Sequence, residues 1–320
     1  MKTESEVGHH MASSTLNVDA FRDYLETQLK RLPPLPDVEQ ISPRVIRVLG
    51  QNPGEFTLQG TNTYIVGTGR SRLIIDTGQG SPQWIENVVF LLESMGIILS
   101  HVLLTHWHGD HTGGVADLIK SYPHLTTAIY KNSPARDQNN IIDGQSFSVE
   151  GATVRALHTP GHAHDHMCFV LVEENAMFTG DNILGHGTTA VEELGPIMSS
   201  WRRMLTENCE RGYPGHGQLI HNLNHKITEQ LASKVRRENL VLDALRCIRG
   251  QQGPQMAGRR MSINPKQLVI LVHGKGINEN VSTLVLEPFL IETLRKLAAD
   301  GIVGFEICNG EKRWFPVQTV

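Results

Sequence analysis

Thr105-His106-Trp107-His108-Gly109-Asp110-His111 crowds three imidazoles and a carboxylate into one short segment. It follows an apolar run, His101–Leu104, which reads as a buried strand. A loop leaving a strand aims neighbouring side chains at adjacent points in space. In the pattern H-x-H-x-D-H, His106 and His108 point one way, and Asp110 and His111 another. Imidazole and carboxylate are the donors that suit zinc and similar borderline cations. A single histidine would read as an ordinary solvated or core residue; this spacing does not.

Four ligands cannot close two metal sites, so the rest are expected at later strand ends. Thr159-Pro160-Gly161-His162 follows the predicted strand Thr153–Leu157. Thr179-Gly180-Asp181 follows Ala176–Thr179, and Tyr213-Pro214-Gly215-His216-Gly217 follows another short apolar entry. Each offers one ligand in a glycine-containing turn, where backbone can approach closely. The predicted sites are His106, His108 and His162 for one cation, and Asp110, His111 and His216 for the other, with Asp181 bridging. His164, Asp165 and His166 compete with His162 for its role, but are expected to hold the outer nitrogens of the ligands, as Asp76 is for the histidine loop. Two adjacent cations lower the pKa of water towards neutrality. Asp110 is the predicted catalytic residue, orienting that water and passing its proton to the leaving group. No G-x-S-x-G elbow occurs, and no cysteine sits in a catalytic context.

Outward from these motifs, the chain reads as short strands between glycine-rich turns: Arg44–Leu49, Thr63–Val66, Arg72–Ile75, Thr127–Tyr130 and Cys168–Val172. Helical runs are predicted over Trp84–Met95 and Ile197–Asn208. Asn17 caps an earlier helix with Phe21, Leu25 and Leu29 on one stripe, stopped by Leu32-Pro33-Pro34-Leu35-Pro36. From about His225 the character changes. Long helical patterns span Lys226–Arg249 and Val281–Ala299, separated by the loop Gly250–Arg260. Ile302–Ile307, Asn309-Gly310 and Trp314–Val317 read as a hairpin. The expected domains are a leader over 1–16, a main domain with its N-terminal helix over 17–225, and a winged-helix-like appendage over 226–320.

The 320 residues are 39% hydrophobic, enough for a sizeable core. A formal charge of −4 does not suggest a protein that grips nucleic acid through phosphates. Cys168, Cys209, Cys247 and Cys308 form no C-x-x-C pair, no secretory segment is evident, and no apolar stretch spans a bilayer. A cytoplasmic protein with reduced thiols is expected.

The successive motifs H-x-H-x-D-H, Thr-Pro-Gly-His, Thr-Gly-Asp and Pro-Gly-His-Gly resemble those of the metallo-β-lactamase superfamily over roughly Ile41 to His225. That resemblance implies an α/β (α+β) fold, an αββα sandwich with two zinc ions, or manganese, at one edge of its paired sheets. A narrower resemblance lies in Val45–Gly54, Phe56–Tyr64 and Gly180-Asp181-Asn182-Ile183-Leu184-Gly185-His186-Gly187-Thr188. It is to a lactamase-like group with two branches: an animal mitochondrial endoribonuclease, and fungal thioesterases that release aromatic polyketides, such as atrochrysone carboxyl carrier-protein thioesterases. Leu32–Pro36 and Pro160–Met167 are similar to the fungal branch.

The fungal resemblance implies hydrolysis of an acyl thioester on the acyl carrier protein domain of a non-reducing polyketide synthase. The alternative is a metal-dependent endoribonuclease. A carrier protein is acidic, so a basic docking patch is expected, with Lys234, Arg236 and Arg237 or Arg259 and Arg260 as candidates. Gln138–Asp143 and Gly185–Leu194 are the candidate lid loops.

Overall fold

The computed structural model describes residues 31–250 and 261–317. The predicted N-terminal leader and helix, and Arg259 and Arg260, lie outside the described residues. The described residues up to Val235 form one compact unit, and those from Arg236 belong to a second.

The first unit holds two sheets. β1 (Val38–Ser42), β2 (Val45–Leu49), β3 (Asn62–Val66), β4 (Ser71–Ile75), β5 (Ile98–Leu103), β6 (Ile129–Lys131) and β7 (Asn139–Asn140) pair in sequence order. Pairing is antiparallel as far as β4 and parallel from there. The second sheet contains β8 (Ser146–Val149), β9 (Ala152–His158), β10 (Met167–Leu171), β11 (Ala176–Gly180) and β12 (Arg211–Pro214), in the order β12-β11-β10-β9-β8.

Side chains alternate across a strand, and here both faces are covered, so the strands read as continuous apolar runs. Tyr64, Val66, Leu73 and Ile75 meet Val154, Phe169, Leu171 and Phe178 between the sheets. The opposite face of the first sheet, with Ile65 and Ile74, packs on Trp84, Val88 and Leu92 of helix α1 (Pro82–Met95). These helix positions are four residues apart and share one stripe. Gly96 ends α1 in the left-handed conformation, φ 64°.

The histidine motif continues into two short helices, α2 (Gly109–Thr112) and α3 (Val115–Ser121). On the outer face of the second sheet, Cys168, Val170 and Met177 pack on Ile197, Trp201 and Met204 of α4 (Leu194–Thr206). Leu223 and Ile227, at the start of α5 (Leu223–Gly250), join that cluster. The unit is therefore layered helix, sheet, sheet, helix.

In the second unit, Val241 and Leu245 of α5 pack with Leu268 and Val269 of α6 (Pro265–His273) and with Leu290, Leu294 and Leu297 of α7 (Glu287–Ala299). Trp314 closes this core from the hairpin β13 (Val303–Cys308) and β14 (Glu311–Pro316). The hairpin turn places Asn309 and Gly310 at positive φ, as a tight primed turn requires. Helix α6 lies outside the helical patterns read from the sequence. The run Val281–Ala299 is helical throughout, as expected, but passes from a helical turn (Glu279–Val281) through a π segment (Ser282–Leu286) into α7. Pro288 has no N–H to give to the carbonyl four residues back, which favours a break in the regular helix there. Among the described residues no helix is long and apolar enough to cross a membrane.

Candidate metal centre

The candidate ligands lie at the strand ends of both sheets. β5 leads into Thr105 and the histidine loop; β9, β11 and β12 lead into His162, Asp181 and His216. Asp76, just past β4, organises the loop from beneath. Its Oδ1 accepts the Thr105 N–H at 2.8 Å, its Oδ2 accepts the Thr105 hydroxyl at 2.9 Å, and Oδ2 lies 2.7 Å from His111 Nδ1. The backbone of Asp76 is left-handed, φ 59°, a conformation that costs energy and persists where surrounding contacts enforce it.

Two clusters result: His106, His108 and His162, and Asp110, His111, Asp181 and His216. In the first, His106 Nε2 is 2.9 Å from His108 Nδ1, and His162 Nε2 is 3.3 and 3.0 Å from those two atoms. In the second, His111 Nε2 and His216 Nε2 are 3.3 Å apart. Asp110 Oδ2 lies 3.4 and 3.1 Å from them, and Asp181 Oδ1 lies 3.3 Å from each. Asp181 Oδ2 turns towards the first cluster, 3.6 Å from His162 Nε2.

These separations fit cations. Ligand atoms about 2.0–2.1 Å from a tetrahedral centre are roughly 3.3 Å apart. For His162 and His111 the outer nitrogen has a fixed partner. His162 Nδ1 donates to the Ala190 carbonyl at 2.9 Å, with the Thr189 hydroxyl also at 2.9 Å, and His111 Nδ1 donates to Asp76. In the singly protonated rings, His162 Nε2 and His111 Nε2 are then left with the lone pairs that a bound cation would satisfy. Asp181 Oδ1 is buried and has no aligned hydrogen-bond donor. Gly215 leaves room for it, since a Cβ there would sit 2.4 Å from that oxygen.

Electrostatics divide the clusters. Burial holds the His106 and His108 imidazoles below their ordinary pKa, aided by neighbouring imidazoles, so they are held neutral. Burial also opposes charge on His111 and His216, but the Asp181 carboxylate and other acidic partners outweigh it. His111 is raised well above its usual range and His216 to about 9. Reciprocally, burial would raise Asp110 and Asp181, yet contact with His111 and His216 holds both well below the usual carboxylate range. Without metal, protons therefore occupy the second cluster, and a cation would displace them.

All seven predicted ligands converge, and Asp76 supports the loop as expected. The expectation for Asp165 is corrected: it pairs with Lys131 rather than a ligand. His164 is exposed. His166 acts on backbone, its Nε2 accepting the Asp181 N–H at 3.1 Å. Gly180 is required there, at φ 47°, because a Cβ would lie 2.6 Å from His166 Nε2. Of the candidate docking residues, Lys234 is buried and Arg237 lies over the Phe289 ring, 4.7 Å from its centroid, while Arg236 is exposed. The supports the sequence reading missed are Thr105, Thr189 and the Ala190 carbonyl. Thr189 and Ala190 fall within Gly185–Leu194, so this candidate lid contacts His162.

Histidine–aspartate clusters at the strand ends of a four-layered sandwich define a scaffold built to hold a pair of cations. A model of the metallo-beta-lactamase superfamily matches residues 56–216. The chain is 58% identical over 314 residues to the atrochrysone carboxyl ACP thioesterase of Aspergillus terreus, covering 98% of each chain. It is 57% identical over 313 residues to the lactamase-like protein notP of an Aspergillus species, covering 97% of this chain and 98% of that one. A beta-lactamase domain protein from Burkholderia ambifaria shares the fold with TM-score 0.65 and 16% identity, over 90% of this chain and 96% of that one. A metallo-beta-lactamase family protein from Thermus thermophilus does so with TM-score 0.59 and 19% identity, over 87% of this chain and all of that one. The chain belongs to the metallo-beta-lactamase superfamily.

Proposed function

We propose that this protein is a metal-dependent thioesterase that hydrolyses a polyketide acyl thioester on an acyl carrier protein. The observation that carries the reading is the joint one: near-complete alignment at 58% identity with a carrier-protein thioesterase, and two preformed ligand clusters in the same chain. In this reading His106, His108 and His162 hold one cation, Asp110, His111 and His216 hold the other, and Asp181 serves both. Zinc fits the nitrogen-rich donor set and tetrahedral spacing best, with manganese the second choice. When bound, the cations supply Lewis acidity and lower the pKa of water.

The chain's own groups do the rest. Asp110 has the more exposed of the two clustered carboxylates, 23% against 10% for Asp181. In the loaded protein it would orient the attacking water and relay its proton towards the departing thiolate. His166 keeps Asp181 in place through the backbone. For the second unit a winged-helix reading draws support from the hairpin packed with α6 and α7 and from an isolated antiparallel bridge between Ile263, before α6, and Trp314 of β14.

The test is purified protein with an aryl-acyl thioester of a carrier-protein mimic, in parallel with labelled single-stranded RNA. Metal-dependent release of the free acid is expected. RNA cleavage without thioester turnover would instead support a nuclease.

A further inference from the structure

We infer that Lys131 and Asp165 are positioning residues that set the spacing of the first ligand cluster by clamping the two sheets together at the metal edge. The inference rests on the metal-centre reading above.

Lys131 is the last residue of β6, in the first sheet, and Asp165 lies in the loop between β9 and β10, in the second. Both are buried, Lys131 at 7% and Asp165 at 0% exposure, and they form a direct ion pair. The Lys131 ammonium also donates to the carbonyls of Asn132 and Ser133, each at 2.8 Å. Its three N–H donors therefore meet three oxygens, which fixes the direction of the ammonium. Ser133 is itself left-handed, φ 49°, so the ammonium also secures a strained turn. On the other side, Asp165 shares its short loop with His162 and with His166, which holds the Asp181 backbone.

The first cluster draws His106 and His108 from the first sheet and His162 from the second. Its spacings of 2.9–3.3 Å therefore depend on the register of the sheets at this edge. Between β6 and the loop of His162, the ion pair supplies that connection. Packing alone does not need it, because apolar groups of similar volume often stabilise a core as well as a buried ion pair. Asp165 Oδ1 has no hydrogen-bond partner, so burial of this carboxylate is incompletely compensated. Such a cost is consistent with a positional role.

The test titrates metal-free wild type, Lys131→Met and Asp165→Asn with Zn2+ against a chromophoric chelator, and melts each metal-free protein. Wild type is expected to bind two Zn2+. Each variant should lose about 10–100-fold in affinity at one site while the other stays near wild type, the range for groups that orient ligands. Lys131→Arg, which keeps charge and donors, should recover part of the loss. Should Lys131→Met fail to fold, the near-isosteric Asp165→Asn carries the same expectation. Wild-type affinity at both sites in a variant with a lowered melting temperature would leave only a structural role and overturn the inference. Wild type that binds no Zn2+ would instead remove the metal-centre reading beneath it.

Discussion

Asp76 Oδ2 lies 2.7 Å from His111 Nδ1, and the same carboxylate receives both the N–H and the hydroxyl of Thr105. One buried side chain thus holds the two ends of the histidine loop. Asp76→Ala should weaken zinc binding by about 10–100-fold. It should also cost about 1–3 kcal/mol for each buried donor left unpaired. Zinc titration and denaturant unfolding of the metal-free variant check the two effects separately.

Gly215 tests the cradle around Asp181. A Cβ at this position would approach Asp181 Oδ1 to 2.4 Å and His111 Cε1 to 2.9 Å. Gly215→Ala should therefore displace ligands of the second cluster and lower its metal occupancy. The secondary structure should survive, since the site is at the edge of the core. Bound metal per chain, read beside the circular dichroism spectrum, decides this; full occupancy would show that the site yields without loss.

The metal-free protein should have a stability maximum between mildly acidic and mildly basic pH. His216 has a folded pKa of about 9, above its ordinary 6.5. Its contribution is full below 6.5 and is lost as pH rises through 9. His106 and His166 are depressed in the fold by burial, so their effect has the opposite sign, and stability falls as pH drops below 6.5. Melting temperatures of chelator-treated protein from pH 5 to 10 should trace both limbs. A flat profile above pH 7 would contradict the proton occupancy assigned to the second cluster.

Trp201 links the outer helix layer to the site. It is fully buried, and its indole N–H donates to the Asn182 carbonyl at 3.0 Å, next to Asp181. Trp201→Ala should cost about 3–5 kcal/mol. Trp201→Phe keeps most of the apolar volume and should lose less. Chemical denaturation of both variants measures the difference.

What could be read from sequence follows the range of each interaction. His106 to His111 were legible because four ligands share one loop. His162, Asp181 and His216 were legible because each sits in a glycine turn directly after an apolar strand. The groups behind them were not. His162 leans on a carbonyl at Ala190, and a backbone carbonyl carries no residue signature. Asp165 was misassigned because its partner, Lys131, approaches only when the two sheets pack. Lys234 was assigned to a surface patch because a lysine on a helix ordinarily faces water. The strands β2 to β4 were found as apolar runs, but β8 alternates serine with apolar residues over four positions and gives little signal. Helix α6 was overlooked although its start was local: Asn264 and Gln267 form a capping box around Pro265.

In the proposed function, a pair of cations held by these seven side chains drives thioester hydrolysis. The most direct test is turnover of an aryl-acyl carrier-protein thioester by the metal-free enzyme as zinc is added back in measured equivalents. Activity should be lost on metal removal and return as the bound metal approaches two per chain. Undiminished turnover after complete metal removal would contradict the account.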